Sequence, residues 1–403
     1  MIKLAFRNIF RNRLRTILTL AAIVSGVSAI IVSGGFVEDV FVQLREATIH
    51  SRLGHVQIYR TGYIEFGKRE PTRYLIAEAK PVVDAVKAIP QVEGVMTRIN
   101  FSGLANNGRA DLPIIGEGVE AGKEAQFGGA TTIISGRQLK DTDANGVIVG
   151  EGVAAALHLK TGKYLTLVVN TPEGALNSLE FEVVGIFRTF FKEYDDRAVR
   201  IPQSAAQEML NTPAIHSVVV TLKDSESTDT AAAAIKAKIG AMGYEVKTWY
   251  ELADFYEKTV ALYKRQFGAL QLIILVMLVL SVASTVNMAV YERTGEFGTM
   301  LALGQRRRQI FKLVMLEYTL LGVIGGLIGV AVGSSLALVA SGVGIPMPPL
   351  PGSNAEYNAN IRLVPWVIGM ALITGALAAV VAAILPGRRA SRLHVVDALR
   401  HNI

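Results

Sequence analysis

Four stretches of this chain are long, apolar and almost free of charge: 17–36, Phe267–Val290, Leu313–Ser341 and Leu363–Leu385. A helix needs about 20 apolar residues to cross the hydrocarbon core of a bilayer, and lipid offers no partner to an unpaired backbone group. Each stretch therefore has one stable form, a spanning helix, and the polar segments between them must lie in water on one face or the other. Only 19% of the residues are charged, against about a quarter in a soluble domain, and the mean hydropathy is +0.37. The first stretch reads as a retained anchor. A cleaved signal peptide would have a shorter apolar region closed by an A-x-A site.

Basic residues set the orientation. Lys3, Arg7, Arg11, Arg13 and Arg15 make 1–16 a basic amphipathic helix suited to an anionic inner leaflet, and arginines recur in 291–312 and in the tail. The 342–362 loop, with MPPLPG at its centre, holds only Arg362. Both termini are thus expected in the cytoplasm. The predicted order is a cytoplasmic helix 1–16, a span 17–37, an extracytoplasmic segment 38–266, a span 267–290 and a cytoplasmic stretch 291–312. A span 313–341, an outer loop 342–362, a span 363–385 and a cytoplasmic tail 386–403 follow. The fold class is an α-helical membrane protein with four transmembrane helices, carrying a large α+β domain of two subdomains between the first and second. In that domain, period-2 strands are expected at His55–Tyr59, Gly94–Phe101, Leu112–Val119, Val147–Val149, Tyr164–Val169, Leu179–Phe187 and Ser217–Leu222. Helices interrupt them, and a lobe of about 120–211 reads as inserted into a second lobe made from both flanks.

The chemistry that the residues allow is narrow. The net charge of +7 sits beside the apolar runs, which is membrane orientation and not nucleic-acid binding. There is no cysteine, and the six histidines have no ligand spacing. Gly122-Lys123 and Gly162-Lys163 lack the upstream glycine and following hydroxyl of a phosphate-binding loop. Glu317 is the one ionisable residue within the spans, so no proton relay crosses them. No enzymatic centre is expected, and energy for any work must come from another subunit. Gly322, Gly325, Gly326, Gly329 and Gly333 form overlapping GxxxG pairs that suit close helix packing. Gly26 and Ser33 on the first span, with Ser281, Ser284 and Thr285 on the second, give small, uncharged faces that could form a lateral gate for acyl chains. Between the second and third spans lies YERTGEFGTMLALGQRRR, whose apolar spacing predicts a short amphipathic helix. Glu292 and Glu296 stand four apart there and repel each other unless a cation lies nearby.

That stretch, extended to YERTGEFGTMLALGQRRRQI, resembles the ER-x-x-E-(I/F)-G…A-L-G signature of the MacB/FtsX permease family. The tail from Pro386 through Arg388, Arg389 and Arg392 to Val396–Arg400 is similar to the family's closing P-x-R-R-A-x-R…A-L-R. The N-terminal A-x-R-N-x-x-R-N-R-x-R-T and the glycine-rich third span match as well, while the middle of the chain matches only in pattern. The resemblance implies the permease of a type VII ABC transporter, paired with a second permease as a homodimer or heterodimer. It implies a coupling element at Glu292, Arg293, Glu296, Phe297, Gly298, Leu301, Leu303 and Gly304 that grips a separate cytoplasmic ATPase, present in two copies. ATP and magnesium would belong to that ATPase, with no cofactor in this chain. The expected setting is a bacterial inner membrane. The expected work is extraction of a lipophilic substrate, foremost lipoprotein release as in the LolC/LolE branch. The alternatives are FtsX-like signalling to an extracytoplasmic partner, or drug or peptide efflux with an adaptor.

Overall fold

Each apolar stretch forms the body of a longer helix, Arg13–Thr48, Asp254–Glu292, Arg307–Val343 and Pro365–Ser391, with only Leu363 and Val364 of the fourth stretch outside. The computed structural model describes residues 6–8, 11, 13–67, 71–127, 131–347 and 357–392. The first three helices overrun the limits expected from hydropathy at both ends and the fourth at its C-terminal end, because the i→i−4 hydrogen-bond ladder does not stop where the apolar run does. The fourth passes through Pro386 and ends at Ser391, with Pro386, Gly387 and Ala390 buried. The stretch expected to open the tail is therefore helical and packed. Most of MPPLPG and the Val396–Arg400 part of the tail lie outside the described residues, as does much of 1–12.

The membrane helices belong to one compact unit, formed by the segments up to Val42, Val260–Met347 and from Asn358 onward. Lipid is as apolar as leucine, so helices in a bilayer associate through close packing and polar contacts. The third span supplies the close packing on two faces. Gly322 and Gly326 lie against Ala379 and Leu372 of the fourth span; Gly325, Gly329 and Gly333 lie against Ile23, Val27 and Ser28 of the first. A Cβ at Gly329 would stand 2.8 Å from that of Val27. The Ser28 hydroxyl donates to the Gly329 carbonyl at 3.1 Å across the same seam. Of the second span, a stripe at Leu278, Val282, Val286, Ala289 and Val290 is buried, while Leu272, Met277, Leu280 and Met288 are exposed. Asp39 is buried at the other end of the first span, where its carboxylate accepts from Asn360 N–H and Arg362 Nε, each at 2.9 Å.

The second unit, Gln43–Thr259, is α+β. Its strands are β1 (Val56–Arg60), β2 (Val92–Asn106), β3 (Asp111–Val119), β4 (Thr132–Gly136), β5 (Gly146–Gly150), β6 (Tyr164–Asn170), β7 (Leu176–Arg188), β8 (Ala198–Pro202), β9 (Ser217–Leu222) and β10 (Tyr244–Thr248). They form one ten-stranded sheet in the order β10-β1-β9-β2-β3-β8-β5-β7-β4, with β6 pairing both β2 and β7. The helices that cover it include α1 (Lys80–Lys87), α2 (Ala121–Phe127), α3 (Glu151–Ala156), α4 (Gln203–Met209) and α5 (Thr228–Ile239). β2 and β3 form a hairpin that turns at Asn107-Gly108, where the Asn107 carboxamide accepts from the N–H groups of Arg109 and Ala110. Gly108 takes the positive φ of 84° that this turn needs.

Three larger cores lie against this sheet among the described residues. Val56, Ile58, Val82, Val86, Val95, Val220 and Ile235 form one, from the flanks of the segment. Ile99, Phe101, Val149, Val153, Leu165, Phe181, Val199 and Met209 belong to a second, and Val119, Leu139, Ile148, Phe187 and Tyr194 to a third. The inserted lobe was expected to begin near 120. Its core instead reaches back to Ile99, because the 15-residue strand β2 gives its first half to the first core and its second half to the second.

Candidate functional site

The second span ends at Glu292, and Arg293 separates it from the short helix Thr294–Ala302. The Thr294 hydroxyl turns back onto the Tyr291 carbonyl at 2.7 Å, and Phe297 N–H reaches the Arg293 carbonyl at 3.0 Å, which fixes the break. Phe297 is 1% exposed and joins the core of the membrane unit, which anchors the short helix by its apolar face. Gly298 is buried on the same side, while Met300 and Leu301 are half-buried against the same core. The helix closes at Gly304, whose φ of 89° is the left-handed conformation that favours glycine after a helix end.

Arg293 organises the polar side of this stretch. Its Nη1 donates to Glu317 Oε2 at 2.7 Å, its Nε donates to Glu296 at 3.1 Å, and its guanidinium lies over the Phe297 ring at 5.1 Å. Burial works against the charge on Arg293. The carboxylates of Glu317 and Glu296 outweigh it, so its pKa lies above the usual arginine value. Glu317, 5% exposed, uses its second oxygen to accept from Asn8 Nδ2 at 2.5 Å. Arg11 pairs with Glu296, and Arg15 pairs with Glu292. Three arginines and three glutamates thus neutralise one another where the N-terminal helix, the end of the second span and the start of the third meet.

Glu292 and Glu296 were expected to repel each other unless a cation lay nearby, and the cations beside them are arginines of the same chain. Asn8, Arg11 and Arg15 lie at i, i+3 and i+7, one face of a helix, and that spacing was legible in the sequence. Arg293, Phe297 and Gly298 face inward. The exposed residues of the stretch include Tyr291 (62% exposed), Leu303 (82% exposed), Gly304 and Arg306–Arg308. Leu303 is thus a large apolar side chain left exposed beside three arginines.

The remaining expected residues are spread through the membrane unit. The backbone at Gly26 lies against Leu278, so the first and second spans touch there. Ser33 donates to the Ile30 carbonyl at 3.3 Å and Thr285 to that of Ser281 at 3.0 Å, both within their own helices. Ser281 and Ser284 are exposed. The five glycines of the third span line its two packed seams. Arg388, Arg389 and Arg392 are exposed at the end of the fourth helix.

A second polar centre, which sequence reasoning missed, lies in the α+β unit. Glu117 on β3 is the register partner of Arg200 on β8, and both are almost fully buried. Arg200 Nε reaches Glu117 Oε2 at 3.1 Å, and the Tyr194 hydroxyl donates to the same oxygen at 2.7 Å. Arg98 binds Glu124 at 2.7 Å. Burial pushes the Glu117 carboxyl up, but Arg200, Arg98 and Arg52 outweigh it and bring its pKa to about 2. The two guanidiniums also hold the π-helical turn Ile49–Leu53: Arg200 donates to the Ser51 carbonyl at 3.0 Å and Arg98 to that of Arg52. Among the described residues no group of three or more histidines, aspartates or glutamates is placed to hold a metal ion.

Comparison with known proteins follows this division. A family model described as MacB-like periplasmic core domain matches residues 16–238, and one described as FtsX-like permease C-terminal matches 268–395. The ABC transporter permease YvrN of Bacillus subtilis is 26% identical over 429 residues, covering 99% of both chains. The pyoverdine export ATP-binding/permease protein PvdT of Pseudomonas syringae pv. tomato is 26% identical over 422 residues, spanning 99% of this chain and 59% of that one. The macrolide export ATP-binding/permease protein MacB of Hyphomonas neptunium is 24% identical, with 99% and 60% covered. Among solved structures, the periplasmic region of MacB from Actinobacillus actinomycetemcomitans aligns with 51% of this chain and 94% of its own, at 14% identity and a TM-score of 0.38.

Proposed function

The chain belongs to the MacB/FtsX family of ABC transporter permeases, and from that premise we propose that it is the non-catalytic membrane subunit through which a partner ATPase drives export of an amphiphilic substrate. The observation that carries this reading is the Arg293 network. A push on the short helix Thr294–Ala302 is delivered at once to the ends of the second and third spans and to the N-terminal helix, because Glu296, Glu317 and Asn8 are joined through it. The Arg293–Glu317 pair at its centre is buried, and a buried charge-assisted bond is stiff and transmits displacement instead of absorbing it.

In this reading Leu303 inserts into the ATPase, and the arginines at 306–308 meet acidic residues around that pocket. ATP and magnesium are held by the partner, as this chain carries no phosphate-binding loop. Both termini and the short helix face the cytoplasm of a bacterium, and the α+β unit faces the periplasm or exterior. A second permease completes the transporter against the exposed apolar face of the second span. The relatives named for pyoverdine and macrolide export support a small amphiphile over a lipoprotein as the substrate.

The test is copurification with the cognate ATPase and its ATP turnover. Leu303→Asp should abolish both, while Leu303→Met keeps them. If Leu303→Asp leaves the complex intact with normal turnover, this stretch is an ordinary loop.

A further inference from the structure

The ends of the first, second and fourth spans enclose an open groove of about 1070 Å³ in the membrane unit, beside the start of the short helix. Arg13, Arg15 and Arg389 stand at its polar end, against a single carboxylate, Glu292. Arg15 already satisfies that carboxylate, and the other nitrogen of its guanidinium, Nη1, is buried without a hydrogen bond among the described residues. Arg13 and Arg389 are exposed and have no ion-pair partner among the described residues. Further into the spans the wall changes character. Leu14 (75% exposed), Leu18 (56%) and Met288 (57%) line it, with the hydroxyl of Thr285 and the carboxamide of Asn287.

We propose that this groove is a binding site for one anionic glycerophospholipid, its phosphate held by Arg13, Arg15 and Arg389 and an acyl chain laid along Leu14, Leu18 and Met288. The order of residues along the helices supports it: Arg13 and Arg15 precede Leu18 on the first helix, and Arg389 lies in the last turn of the fourth, in the direction that a lipid's headgroup and tail would take from the membrane surface inward. The unmatched charge is positive, and the nearby Ser284 hydroxyl and Asn287 amide, both exposed, can donate to phosphate or glycerol oxygens. Guanidinium and phosphate match as paired donors and acceptors, and basic pockets between spanning helices on the cytoplasmic side recognise anionic headgroups. A zwitterionic lipid would bring its own cation into a site that already has three. The proposal rests on the reading that these helices cross the bilayer with this end at the inner leaflet.

The experiment is native mass spectrometry of the full chain released from nanodiscs of equal parts phosphatidylglycerol and phosphatidylcholine. Nanodiscs offer both leaflets and need no ATPase, so the result does not depend on orientation or on transport. Phosphatidylglycerol should be retained in preference, and Arg13→Gln with Arg389→Gln should lower its retention about tenfold without shifting the melting temperature. Arg306→Gln with Arg308→Gln removes the same charge elsewhere and should leave retention unchanged. Equal retention of the two lipids, an equal loss in the control pair, or a groove closed by a second copy with no lipid retained each overturns the proposal.

Discussion

Replacing Glu317 by glutamine tests the network at its centre. The glutamate accepts from Arg293 on one oxygen and from Asn8 on the other. Glutamine keeps one acceptor and turns the second into a donor, so whichever way its amide points, one donor faces another. The Arg293 charge, buried to 9% exposure, would also lose its nearest carboxylate. Removing one partner of a buried pair costs on the order of 3–5 kcal/mol, of which an unsatisfied donor accounts for about 1–3. The residual pair with Glu296 places the expectation at the lower end, about 3 kcal/mol, a factor of more than a hundred in the folding equilibrium. Chemical denaturation in mixed micelles reads it directly. Glu317→Leu combined with Arg293→Met removes both charges and should recover most of that stability, while ATP turnover in the complex stays uncoupled. Stability within about 0.5 kcal/mol of the parent for Glu317→Gln, or coupling that survives the double change, refutes the reasoning.

Three further outcomes are expected. Gly329→Leu should prevent assembly of the membrane unit, since even a Cβ there meets Val27 at 2.8 Å, whereas Gly342→Ala, with open space around it, should behave as the parent in size-exclusion chromatography. Burial holds the His55 and His216 imidazoles down near pKa 4, and the Nδ1 atoms accept from Leu222 and Asn100 N–H at 3.1 Å. Because the folded values lie below the free value of about 6.5, that stability is complete above pH 6.5 and is lost as pH falls toward 4, at about 1.4 kcal/mol per pH unit for each histidine. The melting temperature should fall over that range, and less steeply in the His55→Gln, His216→Gln variant; parallel curves would falsify the assignment. A reporter active only outside the cytoplasm should be silent after Ile403 and active within 120–211; activity at Ile403 removes the four-span topology.

The four spans and the α+β class were legible because each rests on a pattern that one principle decides. Length and apolarity decide the spans, and period-2 alternation gave most of the strands. β4, β8 and β10 were not foreseen. β8 reads AVRIP, with a charge at its centre and a proline at its end, and both argue against a buried strand until Glu117 is placed opposite Arg200. Pairings of this kind join residues distant in sequence, which no local pattern reports. The same limit applied to Arg293, which the sequence placed only within the coupling element and which the structure makes the buried hub. Glu317 stood out as the lone charge in the spans, but the sequence does not show that residues 8 and 293 converge on it.

The long strand β2 has a consequence for how the extracytoplasmic unit is made. Its first half pairs with β9, which the ribosome supplies more than a hundred residues later, and its second half pairs at once with β3 through a local turn. The hairpin half can form early, whereas the other half stays an open edge until the late strands arrive, and such distant closures are slow. During that interval the exposed edge can pair with other chains. Once closed, neither of the two cores it joins can melt without fraying the strand that both share, so the unit should unfold in one cooperative step. A fragment cut at 120–211 leaves behind β2 and β3, and with them the sheet on which its own core is built.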